Sequence, residues 1–69
     1  MPSPILLRII LRILEQNGFL RISQKGSHIK FQKEKWTVIV PIHGKEIPYG
    51  TFRSILRQSN LKEEDFRKI

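Results

Sequence analysis

Imidazole is the side chain that ordinarily titrates near neutral pH, and this chain carries two, His28 and His43. His28 lies in the stretch QKGSHIKF, Gln24 to Phe31, with Lys25 before it, Lys30 after it and Gly26-Ser27 immediately ahead. A histidine in a cationic field suits one reaction, the cleavage of RNA by its own 2′-hydroxyl. The ring takes that proton or gives one to the departing oxygen, while lysine and arginine offset the charge gathering on the phosphate. Gly26 lets the chain turn tightly beside a ligand, Ser27 offers a hydroxyl to a phosphate oxygen, and Lys25 and Lys30 flank the site. This chemistry requires no metal ion and no cofactor. Other routes lack their residues. There is no Ser-His-Asp spacing and no phosphate-binding glycine loop, and Glu63-Glu64-Asp65 reads as the acidic start of a helix rather than a reactive carboxylate cluster. With no cysteine and only two histidines, a zinc site of the usual kind is excluded.

The elements that must hold these residues follow from periodicity. Ser3 before Pro4 reads as a capped helix start, and Leu6, Ile9, Ile10, Ile13 and Leu14 then recur on one face until a stop at Asn17-Gly18. Ile5, Leu7 and Leu11 broaden that apolar sector, which leaves part of the helix to pad the core edge or to meet another protein. Three strand-like runs come next, Phe19 to Gln24, His28 to Lys33 and Trp36 to Pro41, joined by Lys25-Gly26-Ser27 and Glu34-Lys35. Alternation in the second run puts Ile29 and Phe31 on the covered face. It puts His28, Lys30 and Gln32 on the open one. A loop from Ile42 to Ile47 leads through Pro48 into a second helix with Phe52, Ile55 and Leu56 at core spacing and Arg53 and Arg57 opposite. Asn60 with Glu63 reads as a capping box opening a last turn from Leu61 to Lys68. The expectation is an α+β fold in the order α-β-β-β-α, a single domain over residues 1–69 with 61–69 as a short helical tail.

The 13 basic residues outnumber the 6 acidic ones and give a net charge of +7. Polyanions are the natural partners. The charge is uneven: Lys62 to Ile69 is neutral, and from Gln16 to Lys33 there are four cations and no acid. The apolar run Ile5 to Leu14 is too short to span a membrane and is broken by Arg8 and Arg12, so no membrane partner and a cytoplasmic location are expected.

Four segments taken together, LEQNGF at 14–19, QKGSHIKF at 24–31, VIVPIHGKEIPYGTFRSILRQSNL at 38–61 and the closing EEDF, resemble the HicA family of toxin endoribonucleases. The resemblance runs from about Leu14 to Phe66 in the family's order and spacing. It implies a fold like the double-stranded RNA-binding domain, with helices on one face of a three-stranded antiparallel sheet, and it implies cleavage of mRNA as one half of a toxin-antitoxin pair. The family's catalytic residue is the histidine of its GSH motif, here His28. The resemblance further implies a HicB-type antitoxin that covers this site, with DNA reached only through that antitoxin. His43 falls where the family often has histidine, a candidate second proton carrier or phosphate contact set against the plainer reading of a loop histidine facing solvent. The second proton transfer is left open between His43, Lys25, water and no group at all. Lys25 and Lys45 are candidate phosphate contacts by position and charge. The opening Pro2-Ser3-Pro4 and Ile5-Leu6-Leu7 departs from the family's usual polar start, and Leu7, Leu11 and His28 are candidate antitoxin contacts.

Two other readings stay open on the residues alone. A non-catalytic RNA-binding module would lose its RNA with added salt yet survive His28→Ala. A partner-binding subunit built on the apolar helix would lose its complex on Leu7→Lys and Leu11→Lys while keeping its RNA affinity.

Overall fold

In the computed structural model, which describes residues 3–67, the element order is β1 (Ile5–Leu6), α1 (Leu7–Gln16), β2 (Leu20–Lys25), β3 (His28–Lys33), β4 (Trp36–Pro41), β5 (Glu46–Ile47), α2 (Tyr49–Ser59) and α3 (Glu63–Phe66). The meander β2-β3-β4 is antiparallel with β3 at its centre. Helices cover one face of it, and this is the expected α+β arrangement. The alternation in β3 is realised: Ile29 and Phe31 are buried, whereas His28, Lys30 and Gln32 are exposed. Val38 and Val40 of β4 join them from the same face, and Ile10, Ile13 and Leu14 of α1, Phe52 and Ile55 of α2 and Phe66 of α3 close the core from the other side. Phe52 and Phe66 meet edge to face, with centroids 5.3 Å apart.

The first helix starts later than Ser3-Pro4 suggests. Ile5 and Leu6 pair with Ile47 and Glu46 as a second, two-stranded sheet, and the Leu7 N–H donates to the Lys45 carbonyl at 2.9 Å. The helix therefore begins at Leu7, with Leu6 in the cap position and no side-chain cap. Magnitudes explain the choice. A serine cap contributes about 1 kcal/mol, whereas fully burying an isoleucine contributes about 1.5–3 kcal/mol, and the extended start buries both Ile5 and Ile47. Ile5 is thus core, and Leu6, expected in the core, is only half-buried. At the far end the expected stop holds: Gly18 has φ +91° and the Phe19 N–H donates to the Leu14 carbonyl at 3.0 Å.

The final turn also differs. Asn60 adopts the left-handed conformation, φ +60°, and ends α2 rather than opening α3. The reciprocal pair sits two residues later, where the Lys62 N–H donates to Asp65 Oδ2 and the Asp65 N–H to the Lys62 carbonyl, both at 2.9 Å. The helix is Glu63–Phe66, shorter than the expected Leu61 to Lys68, and Lys68 lies outside the described residues. Glu63 accepts from Arg67 Nε at 2.9 Å and from the Tyr49 hydroxyl at 3.1 Å. These two donors, the arginine first, hold its carboxyl below the ordinary glutamate range. Among the described residues no helix is long and apolar enough to cross a membrane.

Phe31 is the fully buried centre of the central strand. Phe31→Ala should remove about 3–5 kcal/mol, comparable to the roughly 3–10 kcal/mol that holds a domain of this length, and leave much of the chain unfolded at 25 °C. Leu20, 69% exposed on the other face, should tolerate alanine within about 0.5 kcal/mol. Urea titrations of both variants check the contrast, and equal losses would contradict this assignment of faces.

Candidate active site

The open face of the sheet carries the histidine, and a β-bulge decides what stands beside it. The β2–β3 register runs Leu20 to Gln32 and Arg21 to Phe31, then resumes at Ser23 to Lys30, Gln24 to Ile29 and Lys25 to His28. Ile22 is the extra residue. Paired residues share a face, and side chains alternate along a strand. Without that extra residue, Ser23 and Lys25 would point towards the helices. With it, they stand on the open face against Lys30 and His28. Arg21 takes the other side of β2, its guanidinium 5.7 Å from the centre of the Phe31 ring.

Ser23, Lys25, His28, Ile29, Lys30 and Ile39 line a shallow cleft of about 430 Å³. Gly26 and Ser27 form the turn between β2 and β3, with Gly26 at φ +58°. Ser27 uses its carbonyl to accept the Ile42 N–H at 2.7 Å. That bond, together with the pairing of His28 with Pro41, draws the loop after β4 against the turn. His43 is carried with it. The two imidazoles end with centroids 6.2 Å apart and planes at 82°, both exposed.

The other candidates are distributed differently. Lys45 lines a neighbouring groove of about 530 Å³ with Leu6, Leu7, Arg8 and Gly44, so it stands outside the cleft that holds His28. Leu7 shares that groove with Lys45. Leu11, one turn further along α1, is half-buried against the core. Sequence reasoning did not single out Ser23 or Ile39, which line the cleft, or Arg8 beside Lys45. For Ser23 no signal in the sequence marks the bulge. Ile39 was legible, because the alternation that buries Val38 and Val40 leaves it on the face of Lys30, its register partner. Among the described residues no three His, Cys, Asp or Glu side chains gather as a metal site would need.

Three antiparallel strands with one face under helices, and the other presenting an imidazole among cations, define an α+β domain arranged like the double-stranded RNA-binding domain. The family model described as the HicA toxin of bacterial toxin-antitoxin systems matches residues 8–61, and the chain belongs to that family. It is a toxin of a toxin-antitoxin system, with an antitoxin as its kind of partner. The match begins beyond the apolar opening Ile5-Leu6-Leu7 that departs from the family's usual start. A comparison with curated proteins finds no match.

Gly26 has its positive φ and nothing within 4 Å of where a Cβ would stand. Substitution there meets backbone strain and no clash. Gly26→Ala should lower stability by about 1 kcal/mol, and Gly26→Asn by less, since asparagine tolerates the left-handed region. Unfolding midpoints of the two variants test this. No loss in either would show that the turn relaxes to another conformation.

Proposed function

We propose that this toxin is a metal-independent endoribonuclease that cleaves mRNA in the cytoplasm, with His28 as its general acid or base. The observation that carries the reading is the placement of His28, exposed on the central strand in a cleft shared with Lys25, Lys30 and Ser23. The phosphodiester would lie across this cleft. The ammonium groups of Lys25 and Lys30 offset its charge, and the Ser23 hydroxyl joins Ser27 and the Gly26 backbone as hydrogen-bonding neighbours. His43 stands beside His28, with ring centroids 6.2 Å apart, and Lys45 with Arg8 extends the positive surface for the flanking RNA. Membership in a toxin family whose members cut mRNA agrees with this.

A HicB-type antitoxin would inhibit by covering the cleft. Leu7, in the groove beside Lys45, and Leu11 offer an apolar margin for that contact. DNA enters only through the antitoxin. A pure RNA-binding role uses the same cations without the imidazole, and it is the reading that the next measurement separates.

A long unstructured RNA incubated with the protein in excess chelator should be cut, and His28→Ala, matched for folding, should lose about 10²-fold or more in rate while still binding. If both proteins bind and neither cuts, the non-catalytic module is the correct reading.

A further inference from the structure

Attack by a 2′-hydroxyl needs two proton transfers, and a single histidine supplies one. The 2′-oxygen gives up its proton as it bonds to phosphorus, and the 5′-oxygen gains one as its bond to phosphorus breaks. The products are a 2′,3′-cyclic phosphate and a 5′-hydroxyl, with no water consumed. The two oxygens lie on opposite sides of the phosphorus, so base and acid must approach from different directions.

The fold brings a second imidazole beside the first. His43 reaches His28 from a separate element, 6.2 Å away and turned by 82°. The chain just before it is held by the Ile42 N–H to Ser27 carbonyl bond at 2.7 Å and by the pairing of His28 with Pro41. Both rings are exposed, so neither is kept for packing. The polar groups that line the cleft with His28 are a serine hydroxyl and lysine ammonium groups, and of these side-chain types and imidazole it is the imidazole that is ordinarily best matched to exchanging a proton near neutral pH.

We infer that His43 is a second catalytic residue, the general acid that protonates the departing 5′-oxygen while His28 takes the 2′-hydroxyl proton. The inference rests on the ribonuclease reading above. His28, on the rigid central strand and inside the cleft, meets the ribose hydroxyl. His43, on the loop beside His28, meets the oxygen of the chain that must leave.

The test compares two oligoribonucleotides in excess chelator, one ordinary and one with sulfur in place of the bridging 5′-oxygen at the cut position. Sulfur departs as a thiolate without needing a proton. His43→Ala should cut the oxygen substrate about 10²-fold or more slowly than wild type, cut the sulfur substrate within about tenfold of the wild-type rate, and bind a 2′-deoxy analogue as wild type does. His28→Ala should be slow on both. His43→Gln, which keeps a polar side chain but no acid, should behave as His43→Ala and separates loss of the proton donor from loss of the fold. The assignment is overturned if His43→Ala cuts the oxygen substrate normally, if it loses both substrates equally, or if sulfur rescues His28→Ala instead. A wild-type protein that cuts neither substrate would defeat the ribonuclease reading and this inference together, an outcome distinct from the other three.

Discussion

Burial of Ile29 and Phe31 on the inner face of the central strand is the constraint on which the rest depends. A strand has a side-chain period of two, so burying these two residues commits His28 and Lys30 to the opposite face. A slip of one residue would put the imidazole and the ammonium under the helices and expose a phenylalanine. The register is therefore held by the full hydrophobic stability of the core. The candidate site inherits that rigidity, because its central residue is the first of a strand paired on both sides.

The neighbours of His28 are fixed by weaker and more local devices. One extra residue at Ile22 returns Ser23 and Lys25 to the open face. One backbone hydrogen bond, from Ile42 to Ser27, holds the loop of His43 against the β2–β3 turn. The two outer edges of the sheet are treated unequally. On β4 the Ile39 N–H donates to Gln58 Oε1 of α2 at 2.7 Å, which ties that edge to the helix. On β2 all six residues are exposed, and the bulge and its flanking Arg21 and Lys25 make it a poor template for another strand. The open face thus stays available to a polyanion while the edges are kept from self-pairing.

The amino end shows tertiary burial overriding a local signal. Ser3-Pro4 has the chemistry of a helix start, yet pairing of Ile5 and Leu6 with the residues before α2 buries more apolar surface than a cap could repay. A side effect is functional geography. The small sheet anchors the segment after His43, since Lys45 bonds through its carbonyl to Leu7, and it sets Lys45 beside Leu7 and Arg8 instead of beside His28. Lysines that look equivalent as charges in the sequence, Lys25, Lys30 and Lys45, are therefore divided between two grooves.

The sequence by itself determined the three-stranded meander, the bounds of β3 and β4, the covered face, the stop of the first helix at Asn17-Gly18 and the exposure of His28. These follow from nearest-neighbour alternation, helical spacing and glycine conformation, which are local properties of the chain. The family was legible as well, through the order of its short motifs. Only the tertiary structure decided the bulge at Ile22, the late start of α1, the role of Asn60 as the end of α2 and the meeting of His28 with His43. Each of these turns on contacts between residues distant in the chain or on a backbone choice of a few kcal/mol settled by packing, and neither residue type nor spacing encodes such a choice.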